Sequence, residues 1–131
     1  MCEHVRKHWR AAEPERGSGT VVAAGLAMAL LILLAGLLGL VQAAAAASRA
    51  ATAADLAALA AADAARGLAD GDPCQVAARL AARHGATLTA CQVLGPWADT
   101  VQLEVSVRTS LPWPAHGLAR AGPPPGPPPG P

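Results

Sequence analysis

The chain has 131 residues, a formal net charge of +1, 53% hydrophobic residues and three tryptophans as its only aromatics. At most one domain fits this length, and so few large side chains argue against an enzyme built around a sizeable apolar pocket. The near-zero charge gives a nucleic-acid partner no electrostatic support.

Residues 1–17 read as a polar leader in which Glu3, Glu13 and Glu15 alternate with Arg6, Lys7, Arg10 and Arg16. A charge-free apolar run, VVAAGLAMALLILLAGLLGLV, then fills residues 21–41. At about 1.5 Å rise per residue it spans roughly 30 Å, the thickness of a bilayer hydrocarbon core. Its length exceeds the roughly 7–15 apolar residues of a signal peptide, so a retained transmembrane helix over 18–42 is favoured. The alternative is secretion after signal-peptidase cleavage near Ala45, within Ala43–Ala47. The basic residues precede the run, and the first one after it is Arg49. The positive-inside rule therefore predicts a cytoplasmic N-terminus and an extracellular C-terminus at the cell membrane.

No Pro or Gly interrupts Val41 to Arg66, which predicts one helix from about Thr20 to Leu68. Residues 43–70 are its alanine-rich extension outside the bilayer. At about 100° per residue, Ser48, Arg49, Thr52, Asp55, Asp63, Arg66 and Asp70 fall within about 120° of arc, with Leu56 and Leu59 in the same sector. The opposite side is bare alanine: Ala46, Ala47, Ala50, Ala53, Ala54, Ala57, Ala58, Ala60, Ala61, Ala64 and Ala65. Such a face lets another backbone approach closely. Gly25/Ala29 and Ala35/Gly39 are small-xxx-small pairs within the apolar run.

Gly71-Asp72-Pro73 breaks the helix. Asp72 is a good N-cap and Pro73 suits the first helical position. A second helix from Pro73 to about Arg83 follows, with Val76, Ala77, Leu80 and Ala81 on one face and Gly85 as its terminator. The period then changes to two. Thr87–Val93 and Thr100–Arg108 read as the strands of a hairpin around Gly95-Pro96, with Val101, Leu103, Val105 and Val107 alternating against polar residues. Cys74 and Cys91 are the only cysteine pair on the outer side, where disulfides persist, so they are expected to pair. This staple would support a small head over 71–110. The Pro/Gly-rich residues 111–131 are expected to be a disordered tail. The predicted class is α+β: a long membrane helix, a short helix and a β-hairpin, an arrangement that the resemblance described next would make pilin-like.

The order of these features resembles the TadE-like proteins of actinobacteria. The resemblance rests on Glu15-Arg16-Gly17-Ser18-Gly19-Thr20-Val21, the apolar helix, Ala53-Ala54-Asp55-Leu56-Ala57-Ala58-Leu59-Ala60, Gly71-Asp72-Pro73-Cys74, Gly85, Cys91 and the Val-alternating strand. It covers about Glu15 to Arg108. It implies a minor pilin or pseudopilin of a Flp/Tad-type pilus or secretion-like assembly. The helix would anchor such a subunit and then pack against other pilin-like or Tad proteins, or a second copy, through Ala46, Ala50, Ala53, Ala54, Ala57, Ala61 and Ala64. A prepilin peptidase would cut after Gly17 and leave Ser18 as the new N-terminus. Pilins usually carry Glu at the fifth mature position, which is Val22 here.

Other polar residues suggest no chemistry. Cys2, His4 and His8 match no usual zinc spacing. Asp55 and Asp63 stand about 12 Å apart by helical rise, too far to work as a pair. His84 lies at a helix C-terminus, where a cation is favourable. Ser18, Ser48, Ser106 and Ser110 lack a nucleophile-elbow context. The expectation is a structural subunit, not an enzyme, with no cofactor or metal. The alternative is a small secreted binding protein.

Overall fold

The computed structural model describes residues 17–124 and residue 126. The expected leader therefore lies outside the described residues up to residue 16, together with Cys2, His4 and His8. So do most of the prolines of the C-terminal tail. The fold is α+β: α1 (Ser18–Ala65), α2 (Pro73–Arg83), and an antiparallel sheet of β1 (Ala86–Leu94), β2 (Thr100–Val107) and β3 (Ala115–Ala121) in the order β1-β2-β3. The described chain divides into two units, one up to Leu38 and one from Gly39 onward.

In the first unit the described chain is almost all helix, and its large apolar side chains from Val21 to Leu38 are exposed. The second unit holds the rest of α1, the short helix and the sheet. Its core is one cluster. Alanines of α1 and α2 pack against Val101, Leu103, Val105 and Val107 of the central strand β2.

Helix α1 ends at Ala65, three residues before the predicted Leu68. Gly67 takes a left-handed φ of 73°, a conformation that favours glycine. The Gly67 N–H then donates to the Ala64 carbonyl at 3.1 Å, and the Leu68 N–H donates to the Asp63 carbonyl at 2.9 Å. This pair of bonds is the Schellman arrangement that closes a helix.

Helix α2 starts and stops as the sequence predicts. Asp72 is extended (φ −71°, ψ 131°), and its carboxylate accepts from the Gln75 N–H at 3.0 Å. At the other end the His84 and Gly85 N–H groups donate to the Ala81 and Ala82 carbonyls. Ala77 and Ala81 are buried, with Val76 and Leu80 half-buried beside them.

The expected two-stranded hairpin is one strand short. Residues 111–131 do not form a disordered tail throughout, because β3 occupies Ala115–Ala121 and pairs along β2 from Val107↔Ala115 to Val101↔Ala121. The head thus extends past residue 110. A third strand suits the physics, since an isolated hairpin is marginal in water.

Strand β1 carries a bulge. Leu88 pairs with Val105 and Ala90 with Glu104, so Thr89 is an extra residue. Its hydroxyl donates to the Glu104 carbonyl at 3.1 Å. An inserted residue shifts the alternation by one. Ala86 and Leu88 lie opposite Val107 and Val105, and beyond the bulge Cys91 and Val93 lie opposite Leu103 and Val101. All four therefore share the inner face of the sheet. Strict alternation would have placed Cys91 on the outer face.

Candidate anchor and helix-packing face

The apolar run sits wholly within α1, and the most apolar window of that helix has none of its residues buried. One such helix near the N-terminus is compatible with a membrane anchor or with a signal sequence. The Gly17–Ser18 bond, the expected peptidase site, lies where the chain enters α1, with both residues exposed. A side chain at 17 would meet nothing within 4 Å.

The alanine face is a packing face, and the chain's own head covers it. Ala50, Ala53, Ala54, Ala57, Ala58, Ala61, Ala62 and Ala64 are buried, and all but Ala64 belong to the core cluster. Ala46 is half-buried and Ala47 is exposed. Thus Ala50, Ala53, Ala54, Ala57, Ala61 and Ala64 are not free for a second subunit. The predicted polar sector does face solvent: Ser48, Arg49, Thr52, Asp55, Leu56, Leu59, Asp63 and Arg66 are all exposed.

Strand β3 approaches the backbone of α1 closely at Gly117. A Cβ added at Gly117 would overlap the Ala50 carbonyl oxygen and come within 3.0 Å of the Ala51 nitrogen. Gly117 is buried, and Ala115, Ala119 and Ala121 on the same face of β3 are half-buried against the core. Small residues thus line both sides of this contact.

Cys74 and Cys91 form a disulfide with a Cα–Cα distance of 5.9 Å. It ties the first turn of α2 to the middle of β1. Closing a loop with a sequence separation of 17 constrains the unfolded chain. The chain-entropy account values that at about 3 kcal/mol.

The outer face of the sheet carries Gln102, Glu104 and Ser106 of β2 and His116, Leu118 and Arg120 of β3. His116 Nδ1 lies 3.0 Å from Glu104 Oε1, with both side chains substantially exposed. Such a surface pair contributes little. His84 caps α2 and borders a shallow hollow with Ser48, Arg49 and Thr52. Ser48 and Thr52 are linked there, the Thr52 hydroxyl donating to the Ser48 carbonyl at 2.9 Å.

Among the described residues no three His, Cys, Asp or Glu side chains gather as a metal-binding group, and no polar or charged side chain is buried.

Two further relationships were not expected. The Ser110 hydroxyl donates to Gln42 Oε1 at 2.7 Å, joining the β2–β3 connection to α1 just past the apolar run. That connection is folded on itself. The Thr109 hydroxyl donates to the Trp113 carbonyl at 2.6 Å and accepts from the Leu111 N–H at 3.1 Å. A Thr followed by Pro112 and Pro114 is a turn-forming composition that signals such a loop. Its tie to Gln42 has no local sequence signal.

No family model, curated protein or solved structure matches the chain.

Proposed function

We propose that the chain is a single-pass, membrane-anchored structural subunit of a pilus-like or secretion-like assembly, comparable to the minor pilins and pseudopilins of the TadE-like family. Its N-terminus lies in the cytoplasm and its disulfide-stapled head lies outside. The observation that carries this reading is α1, one helix from Ser18 to Ala65, whose large apolar side chains over residues 21–41 are exposed and which is built into the head core from Ala50 onward. Apolar side chains exposed in this number need lipid or another protein around them.

With the alanines from Ala50 to Ala64 used by the head, contact with other subunits falls to the apolar run. Gly25/Ala29 and Ala35/Gly39 are the small pairs there that suit close helix approach. The partners are other pilin-like or Tad-type proteins or a second copy, with a prepilin peptidase acting at Gly17–Ser18.

One observation favours the second reading, a small secreted binding protein. The buried residues of α1 begin at Ala50, C-terminal to Ala43–Ala47. Cleavage near Ala45 would leave the head core whole.

The intact mass of the mature protein, measured both on the membrane fraction after carbonate extraction and on the soluble and culture-medium fractions, decides between the two. A mass starting at Ser18 in the membrane pellet supports the pilin-like subunit. A soluble product starting near Ala46 overturns it in favour of the secreted protein. A chain that keeps Met1 in the membrane supports the anchor and removes the peptidase.

A further inference from the structure

We propose that the β2–β3 connection, Thr109 to Pro114, is a lipid-contacting foot that seats the head on the outer surface of the membrane. The inference rests on the membrane anchor proposed above and adds to it a second, peripheral contact with the bilayer.

Gln42 is the first polar residue after the apolar run. If that run fills the hydrocarbon core, Gln42 stands at the level of the lipid headgroups. The Ser110 hydroxyl bonds to its amide oxygen, so the connection stands at that level too. Gln42 and Ser110 line a second hollow, distinct from the one at His84, together with Ala46, Arg49, Arg108 and Leu111.

The chemistry of the segment suits that depth. Trp113 is 62% exposed although its backbone is held by Thr109. It lies between Pro112 and Pro114, whose rings fix φ and stiffen the backbone on both sides. An indole held out in this way has an apolar body and one N–H donor, the combination enriched where membranes meet water. Arg49 and Arg108 are exposed nearby and complement lipid phosphate. Their long apolar stems let the guanidinium groups reach the headgroup layer.

Trp97 is an internal comparison. It is 83% exposed in the β1–β2 turn, at the opposite end of β2. A strand of eight residues separates the two ends by roughly 25 Å. Exposure alone would treat the two indoles alike, whereas the foot assigns lipid contact to Trp113 only.

The experiment uses the full chain reconstituted in vesicles of phosphatidylcholine with phosphatidylglycerol. Three single-tryptophan variants are compared. Trp9→Phe with Trp97→Phe keeps Trp113, and Trp9→Phe with Trp113→Phe keeps Trp97. The third, the depth reporter, replaces all three tryptophans by Phe and adds Leu31→Trp within the apolar run. The vesicles carry lipids brominated either near the glycerol end or near the methyl end of the acyl chains. Trp113 emission should be blue-shifted and largely lost to shallow bromines, with little effect of deep ones. Trp97 emission should stay red and unquenched, and emission of the depth reporter should be lost to deep bromines. Quenching of the depth reporter with Trp113 unquenched overturns the foot and leaves the anchor standing. Equal quenching of Trp97 and Trp113 also overturns it, because the contact is then not confined to the connection. Failure to quench the depth reporter removes the anchor and the foot together.

Discussion

Gly117 of β3 lies against the backbone of Ala50 of α1, so closely that a methyl group at 117 would overlap the Ala50 carbonyl. Most strand–helix contacts are made by side chains. This one is made by main chain, with glycine on one side and alanine on the other. Because the obstructing atoms are backbone, no rotamer change relieves the clash. Gly117→Ala should therefore destabilise the head by about 1–3 kcal/mol, the usual range for overpacking. Leu118→Ala, one residue away on the outer face and 71% exposed, should fall within about 0.5 kcal/mol of the parent. Denaturant unfolding of the detergent-solubilised chain measures both. Equal midpoints for Gly117→Ala and the parent would show that the approach is looser than described.

The alanine face makes a parallel prediction. Ala57 is fully buried in the core cluster, whereas Ala47, almost three turns earlier, is exposed. Ala57→Leu adds three carbons at a position with no solvent exposure and should lower stability by about 1–3 kcal/mol or prevent folding. Ala47→Leu should be tolerated within about 0.5 kcal/mol. The ratio of soluble monodisperse protein and the unfolding midpoint both report the difference. A tolerant Ala57 together with a sensitive Ala47 would mean that the face is used by another molecule instead of the head.

The disulfide should be present as isolated. Alkylation of the unfolded chain without reductant should leave Cys74 and Cys91 unlabelled, as read by peptide mass. Replacing both by serine should remove about 3 kcal/mol of stability by the chain-entropy account. Labelling of both cysteines before reduction would contradict the pairing.

Asp72 is exposed, so its contribution is the N-cap bond to Gln75 and not burial. Asp72→Ala should cost about 1 kcal/mol and Asp72→Asn much less, because asparagine caps equally well. Thermal unfolding followed by circular dichroism separates them. A loss of similar size in Asp72→Asn would point to charge and not capping.

Much of this architecture is legible in the residues, and the exceptions share a cause. Asp72-Pro73 announces α2 because capping is local chemistry. Val101, Leu103, Val105 and Val107 announce β2 because large apolar side chains alternate with polar ones. β3 sends no such signal. Its inward residues are Ala115, Gly117, Ala119 and Ala121, and its largest apolar side chain, Leu118, points outward. The close approach to α1 demands small residues on the inner face, and these erase the hydrophobic alternation by which strands are read. The bulge at Thr89 is hidden for a related reason. Thr87, Thr89 and Cys91 look like one face until an extra residue moves Cys91 to the other. The alanine face is readable as a packing surface. Its occupant is not, since bare alanine is equally suited to a sister helix and to the chain's own strands.

The buried apolar side chains of this head are alanine throughout, save Val101, Leu103, Val105 and Val107. Alanine loses no rotamer freedom when it is buried, and it removes little hydrocarbon from water. The heat-capacity change on unfolding grows with the apolar surface exposed and is reduced by the polar surface exposed with it. A core built from close backbones and methyl groups should give a small value for its size. The stability of the head should then vary gently with temperature, along a broad, shallow curve.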